Sequence, residues 1–316
     1  MKVKLNNFLK KELNKKNISF SSFEFLAGDA SNRKYFKLII KNKKYLLMYD
    51  DDDKSFKNFI KITKLLKNKV TVPEIYKIFK NPNFLLIEYF GEKKYSNLIR
   101  NVDKKKLYFT AIDSLVHLHF LNFKPKLPKY TKQKFFQESK LFFEWYLPMN
   151  SIQINKSIIS QFKEILYLSL EKTLLIPEVF IHRDYHIDNL FFINERKDHF
   201  KCGWIDYQDA LIGPCVYDIV SLTQDARIDF PKELEKKIIE YYLKKFYKIN
   251  KKDFLYSFSL IAIQRHLKVL GIFSRLSKRD KKDSYLVHIP RVKKLLKNNL
   301  EKDEFSDFNR LLKNLI

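Results

Sequence analysis

Residues Ile181 to Asn189 read IHRDYHIDN, and seventeen positions after Asn189 comes Asp206, in the stretch GWIDYQDA (203–210). An Asp, an Asn five residues on, and a second Asp closing an apolar strand are the polar parts of a phosphoryl-transfer centre. The first Asp orients the attacking hydroxyl and receives its proton, while the Asn and the second Asp hold the Mg2+ that bridges nucleotide phosphates. The flanks supply the geometry such a loop needs. Val179–Ile181 reads as a short buried strand entering it, Leu190–Ile193 as a strand leaving it, and Cys202–Ile205 as the partner that carries Asp206. Asp184 is therefore the expected catalytic base, with Asn189 and Asp206 as the expected metal ligands.

Working outward toward the N-terminus, residues 3–15 carry Leu5, Phe8, Leu9 and Leu13 at helical spacing. Strands are predicted at 23–27, 34–40, 45–49, 75–79 and 84–89, with a helix at 56–66. That order describes a small lobe built on an antiparallel sheet. Beyond Gly91 the period changes: Leu107, Ala111, Leu115 and Leu118 recur as on a helix, and further helices fit 135–147, 157–172, 233–247 and 254–276. The expectation is an α+β chain of two lobes, residues 1–90 and 91–316, joined by a hinge. Neither G-x-x-x-x-G-K-[ST] nor G-x-G-x-x-G occurs, which excludes P-loop and Rossmann nucleotide sites.

Composition narrows the class further. Two cysteines, Cys202 and Cys215, give no disulfide framework and no metal-ligand spacing, so a reducing, cytoplasmic setting is expected. No apolar run is long enough for a signal peptide or a membrane span. The net charge of +26 suggests nucleic acid at first. The basic residues are mostly Lys, scattered over every segment beside abundant Asn, Ile and Phe, and no motif interleaves them with aromatics; nucleic acid is not the expected partner. A diffuse positive field still attracts anionic ligands such as ATP.

The segments LAGDASNRKYFKL (26–38), VPEIY (72–76), LLIEYFG (85–91), FFEWYL (142–147), VFIHRDYHIDNLFF (179–192), WIDYQDALIGPCVYDIVSL (204–222), QRHLKVLGIFSRL (264–276) and YLVHIPRV (285–292) resemble the aminoglycoside phosphotransferase and choline kinase superfamily. Within it they are most similar to the bacterial anomeric N-acetylmuramate/N-acetylglucosamine kinases of cell-wall recycling. The resemblance implies a bilobal protein-kinase-like fold, ATP and Mg2+ as cofactors, and a small-molecule acceptor, an amino sugar. It implies that Gly28, Ala30, Ser31 and Asn32 form the loop over the phosphates, and that Glu88, Tyr89 and Phe90 form the hinge strand meeting adenine. It also makes the helix of Glu138, Glu144 and Trp145 a wall of the acceptor pocket. Met48 stands where such kinases carry a phosphate-pairing Lys, and Arg33 or Lys34 would supply that charge instead.

Other residues admit two readings. His182 braces the loop backbone rather than reacting, and His186, four residues on in a loop with no third ligand, does not make a zinc site. Asp218 reads as a brace of the catalytic loop, and Asp209 as either a turn residue or an acceptor contact. Arg265, His266 and Lys268 form either a solvated basic face or the group that meets an acceptor's carboxylate. Two alternatives stay open: a kinase of the same fold for an aminoglycoside, choline or homoserine, and a non-catalytic kinase-like binding protein.

Overall fold

Alternating apolar residues between positions 22 and 88 form five antiparallel strands: β1 (Ser22–Gly28), β2 (Lys34–Ile40), β3 (Lys43–Tyr49), β4 (Ile75–Phe79) and β5 (Phe84–Glu88), in the order β1-β2-β3-β5-β4. The structure is a computed structural model that describes residues 2–28, 33–100, 103–121, 123, 125–246 and 249–316. Side chains alternate across a sheet, so each strand offers two faces. Phe36, Leu38, Leu47, Phe84 and Leu86 on one face form a core with Leu9 and Leu13 of the helix Lys2–Lys15. The opposite face carries the cross-strand pairs Tyr35–Met48, Met48–Leu85 and Leu46–Ile87. Between β3 and β4 runs the helix Asp53–Leu66, which starts where the Asp52 carboxylate accepts the amides of Lys54 and Ser55 at 2.9 and 3.1 Å.

Four short strands follow along the chain: β6 (Glu178–Ile181), β7 (Leu190–Phe192), β8 (Cys202–Trp204) and β9 (Leu211–Pro214). β6 pairs with β9, and β7 with β8. Two compact units result, Met1–Asp103 with Asp188–Asp209, and Lys104–Ile187 with Ala210–Ile316. The first unit thus extends past residue 90 and takes in the β7–β8 hairpin. Backbone bonds explain why: Trp204 N–H donates to Thr71 O at 2.8 Å, and Phe192 N–H to Lys93 O at 2.8 Å.

The second unit is helical and is organised on the helix Lys251–Asp280, which is buried along most of its length and packs against Lys132–Leu141, Tyr217–Thr223 and Ile289–Leu300. Gly271 permits the approach, since a Cβ there would collide with the Leu141 carbonyl. The helix expected at 135–147 is broken at that contact into Lys132–Leu141, a π-helical turn Phe142–Tyr146, and Leu147–Met149. Ile289–Leu300 and Ser306–Leu312 are helices for which the sequence reading names no element. The architecture is the expected α+β one, an antiparallel-sheet unit and a helical unit. No described helix is long and apolar enough to cross a membrane.

Candidate active site

The loop after β6 is built on one buried carboxylate of the second unit. Asp218, in the first turn of the helix Tyr217–Thr223, accepts the amide N–H of His182 at 2.6 Å on one oxygen and that of Arg183 at 2.9 Å on the other. These bonds hold Arg183 at φ +77°, a left-handed conformation that a non-glycine residue keeps only when its surroundings fix it. His182 is fully buried and accepts the Asp184 amide N–H on Nδ1 at 3.3 Å. Tyr185 donates its hydroxyl to Ala111 O at 2.8 Å. The Arg183 guanidinium reaches Glu138 at 2.5 Å, and Lys268 reaches the other Glu138 oxygen at 2.8 Å, with the Tyr130 hydroxyl donating to the same carboxylate.

Asp184 lines a cavity of about 100 Å3 together with His186, Arg227, Arg265, His266 and Lys268. Burial opposes ionisation of Asp184, yet Lys268, Arg265, His186 and Arg183 outweigh it and hold the carboxyl well below its usual range. Burial, aided by Arg227, pushes His186 well below its ordinary value. His266 is pushed down to about 3 by burial and Arg265, and its Nε2–H donates to Gln224 Oε1 at 2.9 Å. Burial pushes Asp218 up to about 7, against the pull of the two amides and Arg265. The cavity therefore holds a standing anion, three standing cations and two neutral imidazoles at neutral pH, and an ionised Asp184 can accept a hydroxyl proton.

The first unit has a larger cavity, about 440 Å3, walled by Leu26, Leu46, Phe59, Ile87, Phe191 and Ile205. Glu88, Tyr89 and Phe90 line it as well, as do Asp188 and Asp206. Ile205 N–H donates to Asn189 O at 3.0 Å, so Asn189 and Asp206 stand at adjoining ends of β7 and β8. An amide and a carboxylate oxygen are the hard donors that Mg2+ takes, usually with waters and phosphates completing its shell, and in this respect the pair fits the ion. Asp206, at φ +64°, accepts from Gln208 Nε2 at 2.8 Å and has Arg33 Nη1 at 3.7 Å. Arg33 is 4% exposed, with its Nε 3.3 Å from Asp50. Met48 is wholly buried opposite Tyr35. Arg33 thus stands beside Asp206, which lines the cavity, whereas Lys34 alternates to the other face of the sheet with Phe36 and Leu38.

Residues 22–252 match the phosphotransferase enzyme family, APH. The chain belongs to that family. Curated relatives of this phosphotransferase include the N-acetylmuramate/N-acetylglucosamine kinase of Pseudomonas aeruginosa, 30% identical over 299 residues covering 92% of this chain and 87% of that protein. The enzyme of the same name from Neisseria meningitidis serogroup B is 28% identical over 305 residues, with 92% and 88% covered. An ADP-bound aminoglycoside phosphotransferase aligns with a TM-score of 0.60 at 20% identity, covering 90% of this chain and 95% of that one. A choline/ethanolamine kinase family protein from Mesorhizobium loti aligns with a TM-score of 0.65 at 11% identity, with 93% of each chain covered. Likeness at such identities speaks to the fold.

Of the residues singled out in the sequence of this phosphotransferase, Ala30, Ser31 and Asn32 lie outside the described residues, and Gly28 ends β1. The Glu88 side chain is held by Arg196 at 2.7 and 2.9 Å, and Glu88, Tyr89 and Phe90 all line the larger cavity. Arg265 and His266 line the cavity of Asp184, on a buried helix rather than a solvated face. Glu138 instead forms the buried clamp on Arg183 and Lys268. Trp145 is half-buried on the π-helical turn and is not among the residues lining that cavity, and Asp209 is exposed at the end of the first unit. Arg227 and Gln224 line the Asp184 cavity without having been singled out; they fall in QDARID (224–229), which carries no motif.

Proposed function

We propose that this phosphotransferase moves the γ-phosphate of ATP to the anomeric hydroxyl of an N-acetylated amino sugar, in the cytoplasm, as a step in the re-use of cell-wall sugars. The observation that carries the acceptor is the charge of the Asp184 cavity. Arg227, Arg265 and Lys268 line it, and both imidazoles are neutral. An aminoglycoside or choline would bring positive charge against those three cations, whereas a neutral or acidic sugar would not. The names of the curated relatives support the same acceptor.

In this reading ATP takes the larger cavity, its base against Leu46, Ile87, Phe191 and Ile205 and its polar edge on the backbone of 88–90. Arg33 contacts the phosphates in place of the third-strand Lys. Asn189 and Asp206 would hold Mg2+, which would supply positive charge to offset that of the nucleotide phosphates. Asp184 orients the sugar oxygen for in-line attack and receives its proton late. An anomeric hydroxyl is more acidic than an ordinary alcohol, so a carboxylate held ionised is a sufficient base.

The test is ATP consumption by the purified protein with Mg2+ over a panel of N-acetylmuramate, N-acetylglucosamine, an aminoglycoside, choline and homoserine. Consumption with the amino sugars alone is expected. Turnover confined to another acceptor would discard the amino sugar, and none with any acceptor would discard phosphotransfer to this class of compound.

A further inference from the structure

We propose that Glu138 is a positioning residue for the base: its carboxylate holds the Lys268 ammonium and so withholds it from Asp184. This rests on the assignment of Asp184 as the base above, and names the residue that keeps that base able to accept a proton.

A buried carboxylate base has two opposing needs. Burial opposes ionisation of Asp184, and Lys268 is the cation that counters it most. An ammonium bonded directly to the carboxylate, however, would occupy an oxygen and weaken it as a proton acceptor. Lys268 and Asp184 line one cavity of about 100 Å3, so the partner that Lys268 takes matters. The fold gives it another. Lys268 Nζ stands 2.8 Å from one Glu138 oxygen and 3.4 Å from the Tyr217 hydroxyl. The two side chains of the ion pair are 9% and 12% exposed, so water and salt screen it little.

The rest of the network shows why this residue is an acid. The other Glu138 oxygen takes Arg183 Nη2 at 2.5 Å, while the Tyr130 hydroxyl donates to the oxygen that Lys268 meets. One carboxylate thus balances two cations that flank the base, one beside Asp184 in the chain and one in its cavity. Burial opposes ionisation of Glu138 too, but Lys268 and Arg183 outweigh it and hold the carboxyl below its usual range. A glutamine of the same shape offers one oxygen and one NH2. Whichever way it turns, one cation faces a donor and loses its counter-charge, and Asp184 is the carboxylate that lines the cavity of Lys268.

The experiment measures kcat and KM for the wild type, Glu138→Gln, Glu138→Asp and the double variant Glu138→Gln with Lys268→Met. ATP and N-acetylglucosamine are the substrates, or the acceptor that the panel above selects, at a temperature where near-ultraviolet circular dichroism shows each protein folded. In Glu138→Gln, kcat is expected to fall about 10- to 100-fold, part of the roughly 100- to 10,000-fold that a general base contributes. KM for ATP should change by less than about threefold. Glu138→Asp keeps the counter-charge and recovers part of the loss. Adding Lys268→Met should raise kcat about tenfold over Glu138→Gln, because the ammonium that turned to Asp184 is gone; a merely structural role leaves kcat of the folded double variant no higher. A kcat in Glu138→Gln equal to the wild type, or a double variant no faster than Glu138→Gln, overturns the role of Glu138 alone. Should Glu138→Gln not fold, the comparison is made on Glu138→Asp, whose shorter side chain loosens the grip on Lys268, and no gain on adding Lys268→Met overturns the proposal. A wild type that phosphorylates no acceptor of the panel, or an Asp184→Asn variant as fast as the wild type, overturns the base assignment and this inference with it.

Discussion

Replacing Asp218 by Asn tests whether one buried carboxylate holds the loop that carries Asp184. Each Asp218 oxygen accepts one amide, His182 at 2.6 Å and Arg183 at 2.9 Å. Asn keeps one acceptor and turns an NH2 toward the other amide, leaving a buried N–H without its partner at a cost of about 1–3 kcal/mol. That is comparable to the roughly 1–3 kcal/mol of strain stored in a residue such as Arg183 at φ +77°, so the loop relaxes. A displacement of about 1 Å at a reacting group costs on the order of 100-fold in rate. The expected result at pH 8 is a kcat lower by about 100-fold, with KM for ATP changed by less than about threefold, because the nucleotide is assigned to the other unit. The pH profile adds a second signature. Asp218 is pushed up to about 7 by burial, so the native state holds its proton more tightly than the unfolded chain does. Its contribution to stability is full below the ordinary carboxylate range and is lost as pH rises through 7, while the ionised form accepts both amides. Wild-type kcat should therefore rise through pH 7, and the Asn variant should lack that rise; Asp184, held well below its usual range, is already ionised throughout. An Asn variant with wild-type kcat at pH 8, or with the same rise, would refute the anchoring role.

Two further predictions concern the nucleotide and acid stability. Arg33→Ala should raise KM for ATP about 10- to 100-fold, with Arg33→Lys recovering part of the loss, since a charged contact to phosphate is removed and then partly restored; an unchanged KM dismisses the role. His266, with a native value of about 3 against an ordinary 6.5, refuses a proton that the unfolded chain accepts. Its stabilisation is full above pH 6.5 and is lost as pH falls toward 3, by up to about 1.4 kcal/mol per pH unit. Denaturant unfolding of His266→Gln should show a shallower fall between pH 6 and 4, and a slope equal to the wild type would contradict the burial argument.

The parts legible in the sequence are those whose signal is local. Strand alternation from 22 to 88 and helical periodicity beyond 91 define the sheet unit and the helical unit, because the period is written into each segment. The catalytic loop is legible for the same reason: IHRDYHIDN and IDYQDA place their polar residues within single turns. What depends on distant partners is not. Nothing local announces that 188–209 pairs back onto Thr71 and Lys93, nor that Glu138 is consumed by Arg183 and Lys268. Arg33 and Lys34 are equivalent in sequence and differ only through the pleat, which turns one toward Asp206 and the other away. Arg227 lies in a motif-free turn, and its place beside Asp184 follows from the packing of the helix Lys251–Asp280 against the helix Tyr217–Thr223.

The central claim is phosphoryl transfer from ATP to a sugar anomeric oxygen with Asp184 as the base. Phosphorus NMR of a reaction containing ATP, Mg2+ and N-acetylmuramate tests it most directly, run with the wild type and with Asp184→Asn. A sugar 1-phosphate resonance that grows with ADP in the wild type, and is absent with a variant that still binds ATP, is the predicted result. A phosphate ester at another position, or an equal rate of 1-phosphate formation in Asp184→Asn, would contradict the account.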